Sequence, residues 1–467
     1  MFTNLRLRNF KSWKDTGDIR LAPITAFFGS NSSGKTSILQ SLLLLKQTTG
    51  SPDRKRVLDL AGNNGLVDLG TYNDIMFGHG ETESLTFDVA WKSETPFELV
   101  DPVKRALKKS SLLIQSDEIR FSSEIEVQRS DAKVKRLEFS LDKASFFMTE
   151  RDEKGSYELG STGYDLIRSH GRVWHLPPPF HFYGFPDQVR VYYQNASFLS
   201  DLELRLEQAF SKIRYLGPLR ESPKRQYIYS GGPPSDVGLR GELAIDALVA
   251  SRFQSLKNSR GWSKDHVRRL PGIPMELQVA QWLSELGLIH SFEIDPLDER
   301  ETLYRVTVKR SSASVPVLLT DVGFGISQVL PVLVLLAFAR AGDTVILEQP
   351  EIHLHPAVQS GLADVIVETA LTRSVQVIVE SHSEHLLLRL QRRLAEGTLA
   401  RNLNLTRDDV ALYFCDQIDG ISKLDLLQLD LFGNITNWPD GFFGNPLEDS
   451  VAMAEARSRR KSSESPE

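Results

Sequence analysis

The chain has 467 residues, 41% hydrophobic and 25% charged, with a formal net charge of −6. That length exceeds what one small core needs, so two or three lobes are expected, and the acidic balance excludes a wholly basic nucleic-acid coat while leaving room for a local basic groove. One cysteine, Cys415, excludes an internal disulfide or a thiolate-rich metal site and suits a reducing compartment. The N-terminal stretch MFTNLRLRNFKSW is too charged for a secretory core, and the most apolar segment, VLPVLVLLAFARA (329–341), is too short to span a bilayer. The expectation is a cytoplasmic protein without a membrane partner.

In chain order, Leu5 and Leu7 alternate with Arg6 and Arg8, the pattern of a half-buried strand. Residues 24–28, ITAFF, are apolar but for Thr25, as in a fully buried strand, and end at glycine. KTSILQSLLLLKQ follows, with Ile38, Leu42 and Leu45 on one helical face. Between strand and helix lies GSNSSGKTS, which satisfies G-x-x-x-x-G-K-[ST] through Gly29, Gly34, Lys35 and Thr36. The spacing has a physical cause. Backbone N–H groups must wrap around phosphates, which requires glycine where a Cβ would obstruct, and the helix N-terminus adds partial positive charge. Lys35 then reaches the β- and γ-phosphate oxygens and the Thr36 hydroxyl reaches Mg²⁺, with Asn31, Ser32, Ser33 and Ser37 completing the expected phosphate-binding set.

From about 115 to 150 the period changes to two, with Ile125 and Val127 and then Leu137, Phe139 and Leu141, which predicts antiparallel hairpins inserted into an α/β body. VKRALKK (103–109) reads as a solvated basic face, with nucleic-acid contact as the alternative. HLPPPFHFYGFP and YSGGPPSD read as loops, and helical patterns return between about 240 and 290. YLGPLRESPKR and VGLRGE suit loops facing a nucleotide.

After residue 315 the pattern sharpens. VGFGISQ places Gly323, Gly325, Ser327 and Gln328 at the start of a helix, and VILEQPEIHLHP is a strand ending at Glu348. The next helix carries Val358, Leu362, Val365 and Ile366 at helical spacing, with Pro356 suited to its first turn. VIVESHSEHLLLRL is a strand ending in Ser381 and His382. His353 and His355, two apart on a loop with no third ligand, make a weak metal pair. The final RSRRKSSESPE reads as a disordered tail.

The order of these segments resembles the ABC-type ATPase heads of the SMC, RecF and OLD group, AAA-type ATPases with an ABC core. LEQPEIHLHP and the late NWPDGFFG resemble a bacterial subgroup often found in phage-defence loci. The resemblance covers about residues 1–80 and 315–445. It implies an α/β P-loop NTPase fold of ABC/SMC-head type, a mixed-sheet core with an inserted antiparallel β region and a helical lobe. Core halves are expected over 1–100 and 315–400, an insertion over 101–314, a β-rich aromatic extension over 401–455 and a tail over 456–467. It further implies ATP and Mg²⁺ as cofactors, Glu348 as the Mg²⁺ acid and His382 as the sensor of the γ-phosphate. Gly323, Gly325, Ser327 and Gln328 would contact ATP held by a second copy, giving a homodimer or higher homo-oligomer closed around the nucleotide.

Such ATPases carry a second carboxylate directly after the first, and here that position holds Gln349. An amide can orient water but cannot take its proton, and general-base help is worth ~10²–10⁴-fold, so slow ATP hydrolysis is expected. Glu351 is the alternative base. The expected role is a switch controlling a separate effector, a nuclease or toxin. Two alternatives stand beside it. A RecF- or SMC-like DNA-binding ATPase keeps nucleic acid open as a partner, although no sustained heptad run supports SMC arms. An OLD-like nuclease would need a D-x-D pair after His382, where CDQIDG offers only Asp416 and Asp419, the spacing of a hairpin turn.

Overall fold

The structure, a computed structural model, describes residues 1–61, 65–79, 84–100, 112–128, 131–152, 155–171, 175–254, 274–397, 404–430, 432–439 and 453. Its centre is a six-stranded sheet of Ile24–Gly29 (β1), Ile213–Leu216 (β2), Thr344–Glu348 (β3), Gln376–Glu380 (β4), Val410–Ile418 (β5) and Ile421–Leu426 (β6). The order is β2-β3-β4-β1-β5-β6, parallel except for the β5–β6 hairpin. β3 and β4 are buried at every residue and β1 at all but its last, which is why their middles are apolar without alternation. Register pairs Glu348 with Glu380, Glu380 with Phe27, and Gly29 with Cys415, so the C-terminal ends of four strands meet along one edge.

Helices flank this sheet: Lys35–Thr49 (α1), Phe324–Phe338 (α2), Pro356–Arg373 (α3) and Glu384–Glu396 (α4). α2 is buried around nearly its whole circumference, consistent with its uniformly apolar sequence. α3 starts with Pro356 in its first turn behind His355, whose side chain accepts the Ala357 N–H. α4 is capped by Ser383, which accepts the Leu386 N–H, and ends at Gly397 with φ +65°.

A second, eight-stranded antiparallel sheet joins Phe2–Phe10, Trp13–Asp15 and Ile19–Arg20 to Ser84–Val100, Leu112–Gln128, Asp131–Ser140, Ser145–Asp152 and Ser156–Thr162. Leu5 and Leu7 face its core, and Phe121 packs on Phe139 with ring centres 4.8 Å apart. A third sheet, of Tyr227–Ile228, Ser291–Pro296, Leu303–Lys309 and Val317–Leu318, accompanies helices Ala244–Gln254 and Met275–Glu285, which pack on α2 to form the helical lobe.

The sheets correct the expected boundaries. β2 lies inside the expected insertion yet is a core strand; its four residues, IRYL, are too short to announce themselves by pattern. Ser84–Val100 belongs to the antiparallel sheet rather than to the N-terminal half of the core, and β5 and β6 extend the core sheet beyond residue 400. CDQIDG forms the β5–β6 turn, with Asp419 and Gly420 at φ +52° and +80°. The VKRALKK segment, the aromatic pair Phe442 and Phe443 and the tail lie outside the described residues. Among the described residues no helix is long and apolar enough to cross a membrane.

Candidate nucleotide-binding site

The loop between β1 and α1 is built by backbone geometry that few side chains permit. Gly29 has φ +139°, and a Cβ there would lie 2.0 Å from the Cys415 carbonyl oxygen on β5. Gly34, at φ +95°, caps α1; a Cβ there would lie under 3 Å from Ser422 Oγ, Ser12 Oγ and Trp13 Nε1. Trp13 Nε1 donates to the Gly34 carbonyl, so the start of α1 is clamped by the neighbouring sheet. Gly34 provides no side-chain cap, which leaves first-turn N–H groups of α1 to an anion. Asn31 and Ser32 are exposed, Ser32 at φ +61°, while Ser33 is buried with its hydroxyl on the Ser30 carbonyl.

Lys35 is buried, and its ammonium donates to the carbonyls of Gly29 at 3.1 Å and Ser30 at 2.6 Å. Burial lowers its pKa, with Glu380, Cys415 and Glu351 pulling the other way. Phosphate oxygens are stronger acceptors for an ammonium than these loop carbonyls.

The strand edge opposite the loop is acidic. Glu348 is 5% exposed; its Oε1 accepts from Tyr215 Oη at 3.0 Å. Burial, then the neighbouring Glu380, pushes its carboxyl up to about 7. Arg220 does not ion-pair with it. The guanidinium donates instead to the backbone carbonyls of Glu348, Gln349 and Pro218, and burial lowers its pKa to about 10. YLGPLRE thus supports the acidic strand end from behind. VGLRGE supports YLGPLRE in turn, through Gly217 N to Leu239 O and Glu221 N to Arg240 O.

Gln349 sits at φ +43°, its N–H on the Glu380 carbonyl. Glu351 is 7% exposed. One of its oxygens accepts both Ser381 Oγ at 2.8 Å and the His382 N–H at 2.7 Å; the other has no partner among the described residues. It therefore ties the loop after β3 to the loop after β4. Burial and then Lys35 hold the His382 imidazole below its ordinary pKa, with the Gly29 backbone pulling the other way.

Glu380 was not foreseen. It ends β4, accepts the Thr36 hydroxyl at 2.9 Å, and is 3% exposed. It stands one residue before Ser381 in the sequence, where the Ser–His pair is the more conspicuous signal. Trp13, Tyr215 and Arg220 were likewise invisible, because their roles depend on pairing between distant segments.

At the start of α2, Gly323, Phe324 and Gly325 form the accessible turn, with Phe324 54% exposed and edge-on to His353. Ser327 and Gln328 point inward. Ser327 is 6% exposed with its hydroxyl on the Phe324 carbonyl, and Gln328 is buried. Among the described residues, no hydrogen bond or ring contact joins this turn to the phosphate loop. His353 and His355 belong to no metal-binding cluster among the described residues.

The donor set fits Mg²⁺, which takes oxygen ligands and is typically held by one or two carboxylates with phosphate oxygens and waters. Thr36 and Glu348 would hold it, and the ion would neutralise charge on the phosphates.

Residues 24–389, well over half of the chain, match the family model described as "AAA domain, putative AbiEii toxin, Type IV TA system". Residues 405–450 match a model described as a protein of unknown function. No curated protein matches. Similar solved structures include an SMC head bound to the C-winged helix domain of ScpA, at 12% identity over 92% of this chain and 98% of that one, with a TM-score of 0.48. The Thermotoga maritima SMC head is 10% identical over 91% and 99%, TM-score 0.40. A Pyrococcus furiosus Smc head with an extended coiled coil, bound to the C-terminal domain of ScpA, is 12% identical over 98% and 99%, TM-score 0.45. The chain belongs to the AAA-domain family described as a putative AbiEii toxin of a type IV toxin–antitoxin system.

Proposed function

We propose that this chain is an ATP-gated switch. Two copies close around ATP and Mg²⁺, hydrolysis is slow, and the closed pair controls a separate effector, a nuclease or toxin, in bacterial defence against phage. The observation that carries this reading is the separation of one set of nucleotide-binding features into two places. Lys35, Thr36, Glu348 and His382 gather at one strand edge, while Gly323–Gly325 form an exposed helix start bonded to none of them. A second copy would bring its helix start to the first copy's phosphates, where backbone N–H groups favour the γ-phosphate. The signature contact is then assigned to Gly323, Phe324 and Gly325, with Ser327 and Gln328 holding the turn from within.

Slow hydrolysis follows from Gln349, which orients water without accepting a proton, and from Glu351, whose bonds to Ser381 and His382 make it the organiser of the switch loop rather than the base. A long-lived ATP state suits a switch. The defence role draws support from the family description, with its toxin of a toxin–antitoxin system.

The test is molar mass by light scattering, with and without ATP and Mg²⁺. The wild-type mass should rise with nucleotide, while Gly325→Arg should stay monomeric yet still bind ATP. A mass indifferent to nucleotide in both proteins would sink the in-trans site.

A further inference from the structure

Glu380 has a chemistry that its neighbours do not share. It is a carboxylate 3% exposed, yet no basic side chain lies within ion-pair distance of it among the described residues. Lys35, the nearest candidate, spends its hydrogen bonds on the carbonyls of Gly29 and Ser30 and on Ser33 Oγ. One Glu380 oxygen accepts the Thr36 hydroxyl at 2.9 Å, and the other is buried without a partner. A buried carboxylate with Lys35 nearby but no ion pair in contact, and with one oxygen unbonded, is costly, and such groups persist where a ligand completes them.

The register says which ligand. Glu348 and Glu380 are paired across β3 and β4, strands running parallel and about 4.8 Å apart. Register partners in a parallel pair present their side chains to the same face, so both carboxylates leave the same edge toward Thr36. Glu351 is not equivalent, because Ser381 and the His382 N–H already occupy one of its oxygens and draw it into the loop between the strands.

We propose that Glu380 is a second carboxylate of the divalent-cation site, acting with Thr36 and Glu348. This rests on the reading of the loop as a Mg²⁺–nucleotide site and adds to it a residue that the phosphate loop and the Glu348 strand do not predict. Two carboxylates and one hydroxyl fall short of a full protein cage, which suits Mg²⁺ or Mn²⁺ completed by nucleotide oxygens and water. The Thr36 hydroxyl rests on Glu380. Those two oxygens would hold the cation together with Glu348, and their contact keeps the two ligands gathered.

The competing explanation is that Glu380 serves only to hold Thr36, and Glu380→Gln separates the two. Glutamine keeps an acceptor oxygen for Thr36 at the same length but removes the charge. The probes are a fluorescent ATP analogue titrated at fixed protein with Mg²⁺ varied, and Mn²⁺ binding followed by electron paramagnetic resonance with ADP present. Glu380→Gln should raise the Mg²⁺ concentration for half-maximal nucleotide binding at least tenfold and weaken Mn²⁺ binding similarly. Metal-free nucleotide binding should be retained. Glu380→Asp, which keeps the charge, should restore most of the cation dependence and covers the case in which the glutamine variant folds poorly. Identical Mg²⁺ and Mn²⁺ titrations for wild type and a folded Glu380→Gln protein would overturn the proposal while leaving the nucleotide site standing. A wild-type chain that binds no nucleotide with either metal would overturn both.

Discussion

In the antiparallel sheet, buried polar atoms find partners in the same sheet or its covering loops. Ser123 Oγ donates to the Phe182 carbonyl at 2.8 Å and Tyr157 Oη to the Val134 carbonyl at 2.6 Å, amid phenylalanines packed tilted and edge-on. Asp88 Oδ2, which has no hydrogen bond, still lies 3.6 Å from an Arg8 nitrogen. The C-terminal edge of the parallel sheet is different. There Glu351 Oε2, Glu380 Oε2 and Arg220 Nε are buried and unpartnered, and two carboxylates end adjacent strands in register. One region places its residues for packing and the other tolerates uncompensated charge. Folding alone does not favour the second arrangement, so it marks where a charged ligand is handled.

That contrast predicts opposite outcomes for two substitutions. Phe139→Ala, in the aromatic core of the antiparallel sheet, should lower stability by about 3–5 kcal/mol, the usual cost of deleting a buried ring. Its nucleotide affinity per folded molecule should be unchanged. Lys35→Ala should do the reverse. Losing charge-assisted bonds worth about 1.5–3 kcal/mol each should weaken ATP binding on the order of 100-fold. Denaturant melts paired with nucleotide titrations read both quantities. If Phe139→Ala altered affinity as strongly as stability, the two regions would not be separable in this way.

Gln349→Glu sharpens the contrast within the acidic edge. Gln349 occupies the left-handed region at φ +43°, equally strained for either residue, so the substitution changes chemistry more than conformation. A carboxylate there can accept a proton from water, and phosphate release should rise at least about tenfold. Unchanged turnover in this variant, combined with its loss in Glu351→Gln, would reassign the base to Glu351.

How much of this was legible beforehand depended on whether a residue acts locally. The phosphate loop, β1, α1, α2 and α3 were readable because glycine spacing and apolar periodicity are written within about a dozen residues. Glu348 was readable because it ends a strand with a recognisable pattern, and His382 because it follows such a strand two residues on. Ser327 and Gln328 lie one turn beyond Phe324 on the same side of the helix, so only the tertiary packing of α2, not its period, shows that they are buried while Phe324 is exposed. Glu380, Trp13 and Arg220 act through register and loop closure between segments hundreds of residues apart, as the Thr36–Glu380 bond does. No local pattern encodes such pairings. β2 was lost for the same reason: four residues identify a core strand only once their neighbour, β3, is known.

The smallest predicted effect tests whether the antiparallel region is as free of uncompensated charge as the contrast requires. Glu203, on the helix Leu199–Ser211, accepts the Phe185 N–H beneath the loop whose Phe182 and Phe185 pack on that sheet. Burial pushes its carboxyl up to about 7. The Phe185 bond and Arg190 pull it down, Glu207 pushes it up, and Arg54 pulls it down. The folded chain therefore holds this proton more tightly than the unfolded one, whose carboxyl titrates near its ordinary value of about 4.5. The associated stability is complete below that value and is lost as pH rises to about 7. Glu203→Gln removes the titration and keeps an acceptor for Phe185. Its melting temperature should exceed that of wild type above pH 7, and the difference should shrink on acidification and vanish below about pH 4.5. An offset that stays constant across this range would mean that Glu203 is solvated and neutral packing governs the site. A closing gap would place one uncompensated acid outside the nucleotide edge, where the only cost of its charge is to folding.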